Sequence, residues 1–184
     1  MSEEMIIKHC SPTLAGIKTG NMFNCEYSSK NELKIYIRTM NRKLKAKGLR
    51  VVPLRISDRN ALIYVYRPEK LKNDFEHSTA KKLLNSKGYV ISNPEACVVR
   101  LIKKIEKSDE FPHEVGLFLG YPPEDVKGFI EQGARKCKLT GVWKVYTDEE
   151  SARLMFQRYK SCTEAYILKM LQEGSGVEEL AVAI

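Results

Sequence analysis

Two pairs of adjacent residues in this chain have side chains that do chemistry: His9 with Cys10, and His113 with Glu114. A thiol attacks as the thiolate, and a helix N-terminus or a neighbouring imidazolium lowers its pKa. Ser11 is a good helix cap and Pro12 a good first helical residue. The sequence therefore predicts a short helix over 12–18, broken at Gly20, with Cys10 just before its positive end. In that reading Cys10 is the nucleophile, His113 or His9 is the base, and Glu114 orients the base. A related reading makes His9, Cys10 and His113 metal ligands, with Glu114 as a fourth ligand or a base. Both require the two segments to meet. The plainer alternative has these side chains capping helix ends and satisfying backbone groups in two packed loops. Lys18, as an anion contact, and Tyr121, as a hydroxyl donor, are candidates to line the same cleft, whereas His77 reads as solvated. No motif specifies a cofactor, and the remaining cysteines share no spacing.

The second pair sits in the most strongly specified stretch, residues 111–133. Pro112 disfavours helix at Phe111, so the chain enters extended. The apolar run Val115, Leu117, Phe118 and Leu119 predicts a buried strand, with Gly116 allowing a close approach. Gly120-Tyr121-Pro122-Pro123 ends it, and a helix follows with Glu124 and Asp125 in its first turn, where the dipole prefers anions. Gly133 is its predicted stop.

The other elements follow from caps and periodicity. A strand is expected over 21–27. Ser29 and Glu32 fit a capping box for a helix ending at Gly48, with Leu33, Ile37, Met40 and Leu44 on one face. Residues 49–66 read as a hairpin around Ser57-Asp58-Arg59-Asn60, with Pro53 at an edge or bulge. A two-piece helix from Pro68, a short strand over 89–91 and a helix capped by Asn93 come next. A strand over 141–146 is expected to pair near 115–119. Thr147 and Glu150 then suggest a capping box for a long helix to about Glu173, and residues 174–184 read as a tail. The order predicts one α/β (α+β) domain over 1–173, a mixed sheet with an antiparallel hairpin and helices packed on it.

Composition narrows the function classes. The hydrophobic fraction of 43% and charged fraction of 29% are those of a globular protein. No apolar run reaches the roughly 20 residues of a membrane helix, so no membrane partner is expected. The start, MSEEMIIKHC, does not read as a signal peptide. Five cysteines without CxxC spacing argue against a disulfide framework and for a reducing cytoplasm. Ten basic and two acidic residues between Lys30 and Arg59 account for the whole net charge of +8. Lys34, Arg38, Arg42 and Lys45 form a stripe there that suits a polyanion such as nucleic acid, although no nucleic-acid-binding signature accompanies it and a solvated helix face is the favoured reading.

Three segments, HCSPTLAGIKTG, FPHEVGLFLGYPPEDVKGFI and WKVY, occur in that order. In them the chain resembles the bacterial family known as domain of unknown function 3793, over nearly its whole length. The resemblance implies a single cytoplasmic domain and assigns no catalytic residue. The sequence reading favoured here is a small-ligand-binding or regulatory domain, its cleft near the His9-Cys10 loop and residues 111–121. A Cys/His- or metal-dependent enzyme at that place, and polyanion binding through residues 30–59, are the alternatives.

Overall fold

The computed structural model describes residues 2–108 and 110–184. In chain order the elements are α1 (Glu3–Leu14), β1 (Gly20–Glu26), α2 (Lys30–Leu44), β2 (Arg50–Ile56), β3 (Asn60–Tyr66), α3 (Pro68–Phe75), α4 (Ser78–Ser86), α5 (Pro94–Lys107), α6 (Val115–Phe118), α7 (Pro123–Gln132), β4 (Leu139–Thr140), β5 (Lys144–Val145), α8 (Glu149–Glu173) and α9 (Val177–Leu180). The fold is α+β, with all described strand pairs antiparallel. Two units divide the chain: Met1–Pro68 with Tyr159–Ile184, and Glu69–Arg158.

The first unit is a three-stranded sheet in the order β1-β3-β2. β3 alternates, so Ala61, Ile63 and Val65 join a core built by α1, α2 and α9. Leu33, Met40 and Leu44 are the buried stripe of α2, whose cap is Ser29, accepting the Glu32 N–H at 3.1 Å. Pro53 lies on the edge strand β2 beside a register shift, where a missing N–H is tolerated. The first helix starts earlier than its proline suggests. Ser2 caps it, Glu3 and Glu4 occupy its first turn, and Ile6, Ile7, Cys10 and Leu14 make its buried stripe. Pro12 lies within it, and the Ser11 hydroxyl donates back to the Ile7 carbonyl. Helical spacing of four apolar residues here outweighed the local start signal. Past Gly174 the chain returns to the core: Val177, Leu180 and Ala181 are buried in it.

Arg67 follows β3 and is 1% exposed. Its Nε donates to the Thr13 carbonyl at 2.7 Å, and Nη1 to that of Lys47 at 2.8 Å. Nη2 donates to the carbonyls of Leu14 and Val182, each at 2.7 Å.

The second unit is mostly helical, and it corrects the strand expected over 115–119. That run is the single turn α6. Gly120, with φ of 72°, closes it: the Gly120 N–H bonds the Leu117 carbonyl and the Tyr121 N–H bonds the Gly116 carbonyl. This is the glycine-terminated helix end, satisfying carbonyls that a strand would give to a neighbour. A five-residue apolar run does not distinguish strand from buried helix by period. The strand over 141–146 accordingly does not pair with it. β5 instead pairs with β4. Residues 89–91 form no strand; the chain turns there, with the Asn93 N–H on the Val90 carbonyl. Asn93 caps α5 through the Ala96 N–H, as expected. The cap of α8 is Asp148, which accepts the Ser151 N–H and hydroxyl at 3.0 and 2.7 Å, because Thr147 is engaged elsewhere.

Replacing Arg67 with methionine leaves four carbonyls without that donor, those of Thr13 and Leu14 buried. We expect a loss of about 3 kcal/mol or more in urea unfolding, with Arg67→Lys recovering little of it because an ammonium cannot reproduce the planar fork. An Arg67→Met midpoint equal to wild type would show that the guanidinium is not a structural tie.

Candidate functional site

The second unit holds a cavity of about 570 Å³. Its walls are mostly aromatic and aliphatic, and they include Phe111, Val115, Tyr121, Val126, Phe129 and Trp143. One carboxylate organises these walls. Asp125 is 2% exposed, at the start of α7. One oxygen accepts the Trp143 indole N–H at 2.8 Å. The other accepts the Tyr146 N–H at 2.8 Å, the Thr147 N–H at 3.0 Å and the Thr147 hydroxyl at 2.8 Å. Four donors converge on one charge, so Asp125 locks the β5 segment onto α7.

Trp143, held in this way, stacks on Tyr121 with ring centroids 5.3 Å apart and meets Phe156 edge-on at 4.5 Å. Such offset and edge-on pairs are the favoured aromatic geometries. Two glycines make the approach possible. A Cβ on Gly116 would lie 2.7 Å from Val126 and 3.2 Å from Tyr121, and one on Gly128 would lie 2.5 Å from the Tyr146 ring. At the mouth, exposed His113 stands edge-on to Phe129 at 4.9 Å, with Glu110 and Lys144 nearby in the lining. Burial pushes the Tyr121 hydroxyl up to about 12, so it is neutral at physiological pH.

Glu114 follows His113 but is buried, whereas His113 is exposed. Its Oε1 accepts the Lys104 ammonium at 2.6 Å and the Tyr89 hydroxyl at 3.1 Å. Burial alone would raise its pKa; the Lys104 hydrogen bond and charge outweigh that and hold the carboxyl below its ordinary value. Lys104 also lies over the Tyr89 ring, 4.5 Å from its centroid.

The other predicted residues belong to the first unit. His9 is exposed and stacks on Phe23 at 5.2 Å. Cys10 is 0% exposed within α1, not before a helix start. Burial pushes its thiol far up, with Lys18 pulling weakly the other way. Lys18 is 3% exposed and donates to the Gly20 carbonyl. Burial pushes its ammonium down to about 7, with Cys10 opposing. Lys34, Arg38, Arg42 and Lys45 are exposed on and just after α2, with no ion pair among the described residues. No group of three His, Cys, Asp or Glu converges among the described residues. Thus Tyr121 and His113 lie at one cavity and Cys10 and Lys18 in one core. Sequence reasoning missed Asp125, Phe129 and Trp143 as site formers. Phe129 and Trp143 sat at spacings that equally mark core, and Asp125 was explained by the helix dipole.

A family model described as Protein of unknown function (DUF3793) matches residues 6–181. No curated protein and no solved structure matches the chain.

Two outcomes test this geometry. Asp125→Asn keeps the shape but turns one acceptor into a donor and removes the charge; we expect a loss of roughly 2–4 kcal/mol and a red-shifted Trp143 emission, and a variant with neither change would remove Asp125 as the organiser. For Lys18 the folded pKa lies below the unfolded 10.5. The unfolded chain then binds more protons above pH 7, so stability rises with pH. Between pH 7 and pH 9 the gain is about 2 kcal/mol, before the raised Cys10 pKa offsets further gain above the ordinary thiol value of 9.0. Urea midpoints across this range should rise for wild type and stay flat for Lys18→Met; a flat wild-type profile would refute the buried ammonium.

Proposed function

We propose that this chain, which belongs to that family, is a small-molecule-binding protein whose ligand inserts a planar apolar ring into the cavity of the second unit. The observation that carries the reading is the cavity itself: about 570 Å³, largely aromatic and aliphatic in its walls, with His113, Glu110 and Lys144 among the polar lining groups. That volume and that mix of apolar walls with a few polar groups are those of ordinary ligand sites. The walls are also set in place before a ligand arrives. Asp125 holds Trp143, and Trp143 holds Tyr121, so little ordering is left to oppose binding. His113 and Lys144 supply hydrogen-bonding groups that orient what enters.

A cytoplasmic setting goes with this proposal. All five cysteines are free, as a reducing compartment would leave them, and no described helix is long and apolar enough to cross a membrane.

Trp143 is the only tryptophan, so its emission reports on this cavity alone. A neutral naphthylamine dye should quench Trp143 and gain fluorescence by energy transfer from it. Val115→Phe, which fills the cavity, should weaken that binding by about tenfold or more while leaving the urea midpoint near wild type. Dye binding that is absent from wild type, or indifferent to Val115→Phe, would remove the ligand-binding reading.

A further inference from the structure

A second cavity, of about 550 Å³, adjoins the first: both are lined by Glu110, Phe111, Pro112 and His113. Its chemistry is opposite. Among the described residues five cations line it, Lys87, Arg100, Lys103, Lys104 and Lys107, against two acids, Glu110 and Glu114. Four of those cations lie on α5 at positions 100, 103, 104 and 107. Three- and four-residue spacings put them on one helix face, where like charges repel. Only part of this charge is answered. Lys104 is paired with Glu114 at 2.6 Å. Arg100 donates to the Lys87 carbonyl at 3.3 Å, which leaves its charge intact, and its guanidinium lies 5.7 Å from the Tyr89 centroid. Lys103 and Lys107 make no ion pair among the described residues.

We propose that the two cavities are the halves of one site for a planar-ring phosphate of the nucleoside di- or triphosphate kind, with the ring between Tyr121, Phe129 and Trp143 and the phosphates against Arg100, Lys103 and Lys107. The inference rests on the reading of the first cavity as a ligand site and adds the chemical class. Aromatic faces accept a base by stacking, and exposed guanidinium and ammonium groups accept phosphate oxygens. His113 borders both cavities, which places a hydrogen-bonding side chain where the ring meets the charged part of such a ligand. A bound polyphosphate relieves the repulsion along α5, so the charge row that costs the free protein stability favours the complex. Glu110, which also borders both cavities, opposes an anion and sets the requirement for more than one phosphate charge. The two volumes, about 570 and 550 Å³, are each those of a small-molecule site and fit a mononucleotide better than a strand.

The test compares adenosine, ATP and inorganic triphosphate by calorimetry and Trp143 emission. We expect ATP to bind at least about tenfold more tightly than adenosine at low salt, with that advantage shrinking as salt rises. Lys103→Gln with Lys107→Gln should abolish the advantage and leave adenosine and the neutral dye unchanged. Lys34→Gln with Arg38→Gln, in the other basic segment, should leave the ATP advantage intact. If the dye binds and ATP does not exceed adenosine, the nucleotide assignment falls while the cavity reading stands. If the dye fails as well, both fall. An ATP advantage that survives in the α5 variant, or is lost in the α2 variant, overturns the assignment of the second cavity. A single-stranded oligonucleotide binding more tightly than ATP overturns the mononucleotide in favour of a strand.

Discussion

One buried cation sets the path of the first unit. Arg67 is enclosed with no carboxylate among its described hydrogen-bond partners, and burying an unpaired charge is expensive. It is tolerated because four carbonyls surround it. Those of Thr13 and Leu14 belong to the end of α1, where unsatisfied carbonyls and the negative end of the helix dipole face outward. The Lys47 carbonyl comes from the turn after α2, and that of Val182 from the last residues of the chain. The Val182 N–H also bonds the Leu14 carbonyl, so the C-terminal segment is tied twice. That tie explains why Val177, Leu180 and Ala181 are core residues. Glu3 adds a further tie, accepting the Lys43 ammonium and the Val177 N–H.

The second unit uses the inverse device, a buried anion. Asp125 gathers an indole, two backbone N–H groups and a hydroxyl. Its role is geometric: it fixes the Trp143 face against Tyr121 and leaves a walled space beside them. Gly116 and Gly128 matter for what they lack, since a Cβ on either would collide with Val126 or with Tyr146. A cavity of this kind is the product of close packing around a gap, and close packing depends on contacts between segments far apart in sequence.

The chemistry of His9, Cys10, His113 and Glu114 illustrates how adjacency misleads. On a helix such as α1, and in a tight turn such as the one before α6, neighbours i and i+1 point in different directions. His9 is at the surface while Cys10 is in the core, and His113 is exposed while Glu114 is buried on Lys104 and Tyr89. Charge counted along the chain also conceals a second basic group. The whole net charge falls between Lys30 and Arg59, yet a cation-lined cavity lies on α5, in a stretch whose charges cancel in the count. Cancellation in a sum does not require cancellation on one helix face.

What the sequence determined by itself was local. Ser29 and Asn93 as caps, Gly133 as a stop, the amphipathic face of α2, the hairpin with Pro53 at its edge and the long helix to Glu173 were all legible, because caps, turns and periodicity act within a few residues. The tertiary structure decided the rest. It made residues 115–118 a helical turn, drew Trp143 to a carboxylate 18 residues earlier, returned the chain end to Arg67 and lined up the α5 cations beside an aromatic cavity. Each of these depends on which distant groups satisfy a buried charge or fill a gap, and that choice is made by the path of the whole chain.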